Sequence, residues 1–169
     1  MIRWVVLLGL AGCSSAASAP EVAAPSAEPL VVFLVRHAEK VDESQDSPLS
    51  NTGKARATDL ARTLEDAELT GIHSTRFERT LDTAGPLARM LGIEVQTYAA
   101  NDLDALLDRL RGLGGRHLVV GHSNTTPLAV RKLGGKPGPA IRQNEYDRLY
   151  MVTVSPREGS STVLLRYGH

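Results

Sequence analysis

The sequence predicts an α/β domain, three layers deep (α/β/α), around a mostly parallel central sheet. Leu30 to Val35 is an unbroken, largely β-branched apolar run bounded by turn signals, the pattern of a strand buried on both faces. His117-Leu118-Val119-Val120 is a second run of the same kind. Between and after them, apolar runs alternate with stretches of helical period, which argues for parallel strands joined by crossover helices. Both runs end in a histidine: Arg36-His37 after the first, Gly121-His122 after the second. Sites in such sheets open just beyond the carboxyl ends of the strands.

Each element has its own justification. Met1-Ile2-Arg3 gives a positive start and Trp4 to Leu10 an apolar segment, too short for the ~20 residues of a membrane span but suited to a signal peptide. Leu10-Ala11-Gly12-Cys13 resembles the lipobox of bacterial lipoproteins. It implies a signal peptide over residues 1–12, a lipid on Cys13, membrane anchoring through that lipid, and export to the cell envelope or periplasm. Residues 13–29, rich in Ala, Ser, Pro and Glu, read as a tether holding the domain about 20 Å from its anchor. The domain then covers residues 30–169.

Within it, Val41 to Pro48 is a polar loop, and Ser50 or Asn51 caps a helix running to about Glu68. Gly71 to Ser74 is a short strand, Phe77 to Leu91 a helix stopped by Gly92, and Ile93 to Tyr98 a strand. Leu103 to Leu113 is a helix ending at Gly114-Gly115, and Thr126 to Leu133 another ending at Gly134-Gly135. Leu149 to Val154 and Thr162 to Arg166 are two last strands joined by a turn near Pro156 and Gly159.

With 169 residues there is room for one domain with a real core. Nineteen basic and nineteen acidic residues balance, which argues against a nucleic-acid partner. The chemistry must come from the strand ends. If the two central strands are neighbours, His37 and His122 face one crevice, with Arg36 beside them. Arg76 and Arg79 open a helix, where backbone N–H groups also favour an anion. Histidines, arginines and a helix start suit a phosphoryl group. A neutral imidazole can attack phosphorus, while the other groups stabilise charge on the phosphoryl oxygens.

Four motifs then carry a resemblance. Val35-Arg36-His37-Ala38-Glu39 is similar to the Arg-His-Gly-Glu signature of the histidine phosphatase superfamily, which includes the phosphoglycerate mutases. Leu49 to Ala57, Ser74 to Ala84 and Val120 to Asn124 resemble that family's next three motifs, in order. The resemblance implies a phosphoglycerate mutase-like fold, His37 as the nucleophile, Arg36 and Arg79 binding the phosphoryl group, and His122 completing the pocket. It implies no metal and no cofactor, and a phosphorylated small molecule as substrate. Arg76, one helical turn before Arg79, is placed at the rim.

Ala38 stands where the family has glycine. The segment from Tyr98 to Asp108, where many members carry an inserted acid, is short and leaves an open pocket. Candidates for the acid are Glu39, Glu145 and Asp102, while Asp104 and Asp108 read as a solvated helix face. Glu39 and Lys40 fit an exposed turn equally well. His73, His117 and His169 read as structural or exposed.

Two other chemistries fail on composition. His37-Ala38-Glu39 lacks the Cys-x-x-Cys pair of zinc deaminases, and Gly121-His122-Ser123 lacks the second glycine of a serine-hydrolase elbow. What the two resemblances imply together is a histidine acid-type phosphatase, a phosphomonoester hydrolase of the cell envelope acting through phospho-His37. The alternatives are an inactive phosphate-binding lipoprotein, a phosphohistidine-protein phosphatase or a mutase.

Overall fold

A computed structural model describes Met1 and residues 29–168. The signal segment, Cys13, nearly all of the tether and His169 lie outside the described residues. Six strands form one sheet: β1 (Leu30–Arg36), β2 (Gly71–Ser74), β3 (Val95–Thr97), β4 (Arg116–Gly121), β5 (Arg148–Ser155) and β6 (Gly159–Arg166). Their spatial order is β3-β2-β4-β1-β5-β6. The first four run parallel, while β5 runs antiparallel to β1 and makes a hairpin with β6. Four helices complete the chain: α1 (Asn51–Leu64), α2 (Glu78–Leu91), α3 (Leu103–Leu113) and α4 (Thr125–Lys132).

The sheet is sandwiched as the alternation of elements requires. Val31, Phe33 and Val35 of β1 pack with Leu60, Leu64 and Leu87 of α1 and α2. The alternate residues, Leu30, Val32 and Leu34, pack with Leu106, Leu110 and Val130 of α3 and α4. The three-layer expectation thus holds, because period-2 alternation in a strand covered on both faces feeds two apolar cores at once.

Boundaries differ where local chemistry decides them. Ser50 is the cap of α1, its Oγ accepting from the Gly53 amide at 3.1 Å. That helix ends at Leu64, short of the expected Glu68, because Glu68 takes a left-handed φ of 54° that turns Leu69 back into the core. β3 is shorter than expected: Ile93 donates to the Ala88 carbonyl at the end of α2 and so belongs to the helix stop. β6 is longer than expected, starting at Gly159, where φ is 79°.

The feature that builds the site is register. Val35 lies opposite Val120 and Arg36 opposite Gly121, so the next residues, His37 and His122, leave neighbouring strands at the same height. The His37 amide donates to the Gly121 carbonyl at 2.9 Å, extending the pairing to the nucleophile candidate itself.

Candidate active site

Arg36, His37, Arg79 and His122 line one cavity of about 410 Å³. The structure therefore brings together the four residues on which the sequence reading rested. The His37 and His122 rings face each other nearly edge-on, with centroids 5.5 Å apart.

The hydrogen bonds fix the tautomers. His37 Nδ1 lies 2.8 Å from the Ala38 carbonyl oxygen, which can only accept, so Nδ1 carries the proton and Nε2 keeps its lone pair. Burial, reinforced by Arg36 and Arg79, pushes His37 down to about 3, so the ring is neutral near pH 7. On the other side, Thr80 Oγ1 is within donating distance of the Phe77 carbonyl at 2.7 Å and the Thr75 carbonyl at 3.0 Å. Its single proton goes there, so Thr75 Oγ1 donates to Thr80 Oγ1 at 2.8 Å and accepts from His122 Nε2 at 3.1 Å. His122 therefore keeps Nδ1 for a ligand. Burial and the two arginines lower it to about 4, and a phosphate dianion in the cavity would draw a proton onto Nδ1.

Each arginine lies over an aromatic ring. The Arg36 guanidinium carbon is 4.1 Å from the centroid of Tyr146, and that of Arg79 is 4.3 Å from Phe77. Phe77 stands edge-on to His122 at 5.3 Å, and Tyr146 tilts against His37 at 6.0 Å. Both arginines also brace loops. Arg36 Nη1 donates to the carbonyls of Arg142 and Gln143, each at 2.9 Å, and of Glu145 at 3.1 Å. Arg79 Nη1 donates to the Gln45 carbonyl at 2.9 Å. Arg36 is thus both a wall of the cavity and the bolt that holds residues 142–145 against β1.

The other expectations divide. Ala38 is buried with Leu49 and Ala57, so its methyl group fills a small core where the family has glycine. The three proposed acids are placed elsewhere. Glu39 receives both Nε and Nη2 of Arg56 and ties α1 to the loop after β1. Glu145 binds Arg148 at 2.6 Å and Arg166 at 2.8 Å. These partners hold its carboxyl down at about 2, an ion rather than a proton donor at neutral pH. A larger cavity of about 600 Å³ on that side is lined by these paired groups and contains neither histidine.

Asp102 lines a separate cavity with Arg76 and Arg109, which also puts Arg76 outside the site. Asp104 and Asp108 pair with Lys132 and Arg111 on the surface, as a solvated face should. Sequence reasoning did not find Lys40, Glu43, Phe77, Gln143 and Tyr146, which also line the catalytic cavity. Phe77 sits inside a motif and could have been found. The others depend on how two loops fold back.

His73 and His117 form a second, fully buried pair on β2 and β4, with Nε2 to Nδ1 at 3.3 Å. His117 Nε2 donates to the Gly114 carbonyl at 2.8 Å, so His73 Nε2 is the donor within the pair and His73 Nδ1 is left without a partner. Among the described residues, no three His, Cys, Asp or Glu side chains gather in a way that could hold a metal ion.

Comparison with known proteins agrees with this fold. Residues 32–104 match the family model of the histidine phosphatase superfamily (branch 1). No curated protein matches the sequence. Among solved structures, a protein histidine phosphatase SixA complexed with tungstate superposes with a TM-score of 0.66 at 18% identity, over 81% of this chain and 97% of that one. A phosphoglycerate mutase from Bacillus anthracis str. Sterne gives 0.64 at 13% identity, over 83% and 93%. A mycobacterial glucosyl-3-phosphoglycerate phosphatase gives 0.59 at 16% identity, over 83% and 99%. Residues 32–104 thus carry the pattern of the histidine phosphatase superfamily, and the chain as a whole has the phosphoglycerate mutase-like fold.

Proposed function

We propose that this chain is a metal-independent phosphomonoesterase that works through phospho-His37. The observation that carries the reading is the His37 ring: neutral, fixed by the Ala38 carbonyl, and presenting an unprotonated Nε2 to a cavity walled by Arg36, Arg79 and His122. Nε2 attacks phosphorus while Nδ1 keeps its proton on the carbonyl. Arg79, Arg36 and His122 offset charge on the phosphoryl oxygens as it moves. Water then attacks phosphorus, the P–N bond breaks, and its electrons return to Nε2.

The test is turnover of p-nitrophenyl phosphate by the full chain with chelator present, beside His37→Ala. Turnover that survives chelation and disappears in the variant supports the reading, whereas equal activity in the variant refutes it. A second reading is favoured by one observation: none of Glu39, Glu145 and Asp102 lies in the cavity. A phosphate-binding protein without turnover would bind inorganic phosphate or tungstate and leave even this activated ester intact. The open cavity suits several phosphorylated small molecules, and a phosphohistidine side chain, like that implied by the name of the SixA neighbour, would also fit. We place the chain at the cell envelope, anchored by a lipid on Cys13. Incorporation of labelled palmitate that persists in Cys13→Ala would sink that assignment.

A further inference from the structure

We propose that Glu43 is the proton carrier of this reaction, acid toward the leaving group in the first step and base toward water in the second. The proposal rests on the phosphohistidine reading of His37. Among the described residues, Glu43 is the only carboxyl group lining the catalytic cavity, and Glu39 and Glu145 lie outside it, paired with arginines.

The loop that carries Glu43 is pinned to the elements that carry the chemistry. Val41 donates to the Pro48 carbonyl at 3.0 Å, beside the Lys40–Leu49 bridge. The Asp42 side chain accepts from the Ser44 amide at 2.9 Å, and the Asp42 amide donates to Ser47 Oγ at 3.1 Å. On the other side, the Glu78 amide donates to Asp46 Oδ1 at 2.8 Å, and Arg79 Nη1 holds the Gln45 carbonyl. Glu43 is therefore positioned by the strand that ends in His37 and by the helix that carries Arg79. Lys40 Nζ donates to its Oε2 at 2.7 Å. Oε1 has no partner among the described residues and is open to a substrate.

In the first step, the Nε2 lone pair of His37 forms the N–P bond as the P–O bond to the leaving group breaks. That oxygen takes the electron pair and the proton of Glu43 and departs as an alcohol. In the second, water forms the new O–P bond and gives a proton to the Glu43 carboxylate. The N–P pair returns to His37, so inorganic phosphate leaves and both residues are restored.

The experiment compares wild type, Glu43→Gln and His37→Ala on p-nitrophenyl, phenyl and glycerol phosphates. A general acid matters most where the leaving group is a poor one, and contributes on the order of 10²–10⁴-fold. Glu43→Gln should lose on the order of 100-fold in kcat/KM on glycerol phosphate and far less on p-nitrophenyl phosphate, whose leaving group needs little help from an acid. Phospho-His37 should also accumulate in that variant when the activated ester is turned over, because water attack has lost its base. An equal fall in kcat/KM on all three esters, or no fall on any, overturns the assignment while leaving His37 untouched. Wild type that hydrolyses none of them, or His37→Ala that hydrolyses them equally well, removes the phosphohistidine reading and this proposal with it.

Discussion

Gly53→Ala should destabilise this protein, although the same exchange inside most helices does the reverse. Gly53 lies in the first turn of α1, and alanine is the better helix former by about 1 kcal/mol. A methyl group built there, however, would stand 2.1 Å from the Glu39 carbonyl oxygen and 3.0 Å from its carbon and nitrogen. These are backbone atoms two residues beyond His37, so no side chain can swing aside. The same carbonyl accepts from the Ser50 amide at 2.9 Å, and the Glu39 carboxylate is held by Arg56, so the loop is fastened to α1 in three ways. Reaching ordinary contact requires helix and loop to part by more than an ångström.

Overpacking of this kind costs about 1–3 kcal/mol and more where the backbone must move. Set against the propensity gain, the net loss is about 1–2 kcal/mol. Because the loop leads directly from His37, kcat/KM on p-nitrophenyl phosphate should fall by at least about tenfold, following the sensitivity of near-attack geometry to small displacements. Urea unfolding and steady-state kinetics of the variant are the assays. A Gly53→Ala protein as stable as wild type, or more so, would refute the close approach of α1 to the Glu39 backbone.

Two further outcomes follow from the charges. Burial lowers His37 to about 3 and His73 and His122 to about 4, each below the ordinary 6.5, so the folded state disfavours their protonation. Their contribution is fully present above about pH 6.5 and is lost as pH falls toward 4. Each neutral imidazole adds up to about 1.4 kcal/mol per pH unit to the slope. Melting temperature should be flat above pH 7 and decline below 6.5, less steeply in His73→Leu; an unchanged slope in that variant would refute the role of the buried pair. Glu145→Gln breaks the link to Arg148, which is 5% exposed, and to Arg166. Removing a partner from a buried pair costs about 3–5 kcal/mol, and the partial exposure of Glu145 puts the expected loss nearer 2 kcal/mol. Its dependence on leaving group should match wild type, so a selective loss on glycerol phosphate would return Glu145 to candidacy as the acid.

The sequence carried the fold and half of the site because the relevant signals are local. Two apolar strands ending in histidine, a capped helix start and the Ser74–Ala84 motif needed no tertiary knowledge. Tyr146 and Glu43 were invisible because their places depend on loops folded back over the strand ends. Arg36 could be seen as an anion ligand but not as a loop anchor, since its acceptors are main-chain carbonyls more than 100 residues away, which any side chain could bring. Glu39 misled for the opposite reason: adjacency to His37 in the chain suggested chemistry, while its side chain turns to Arg56. The His73–His117 pair required the parallel register of β2 against β4, where Gly71 sits opposite His117.

The antiparallel placement of β5 has a consequence for the order in which the protein becomes competent. Arg36 ends β1 and His37 follows it directly, yet the carbonyls that Arg36 holds precede β5, more than 100 residues later. Only a strand running against β1 could bring that late segment to the same end of the sheet as the nucleophile. Until residues 142–146 arrive, the Arg36 guanidinium lacks both its three acceptors and the ring of Tyr146 beneath it. A chain that lacks residues 142–146 therefore has the nucleophile but only an open trough around it, and the pocket is complete only once that segment is in place.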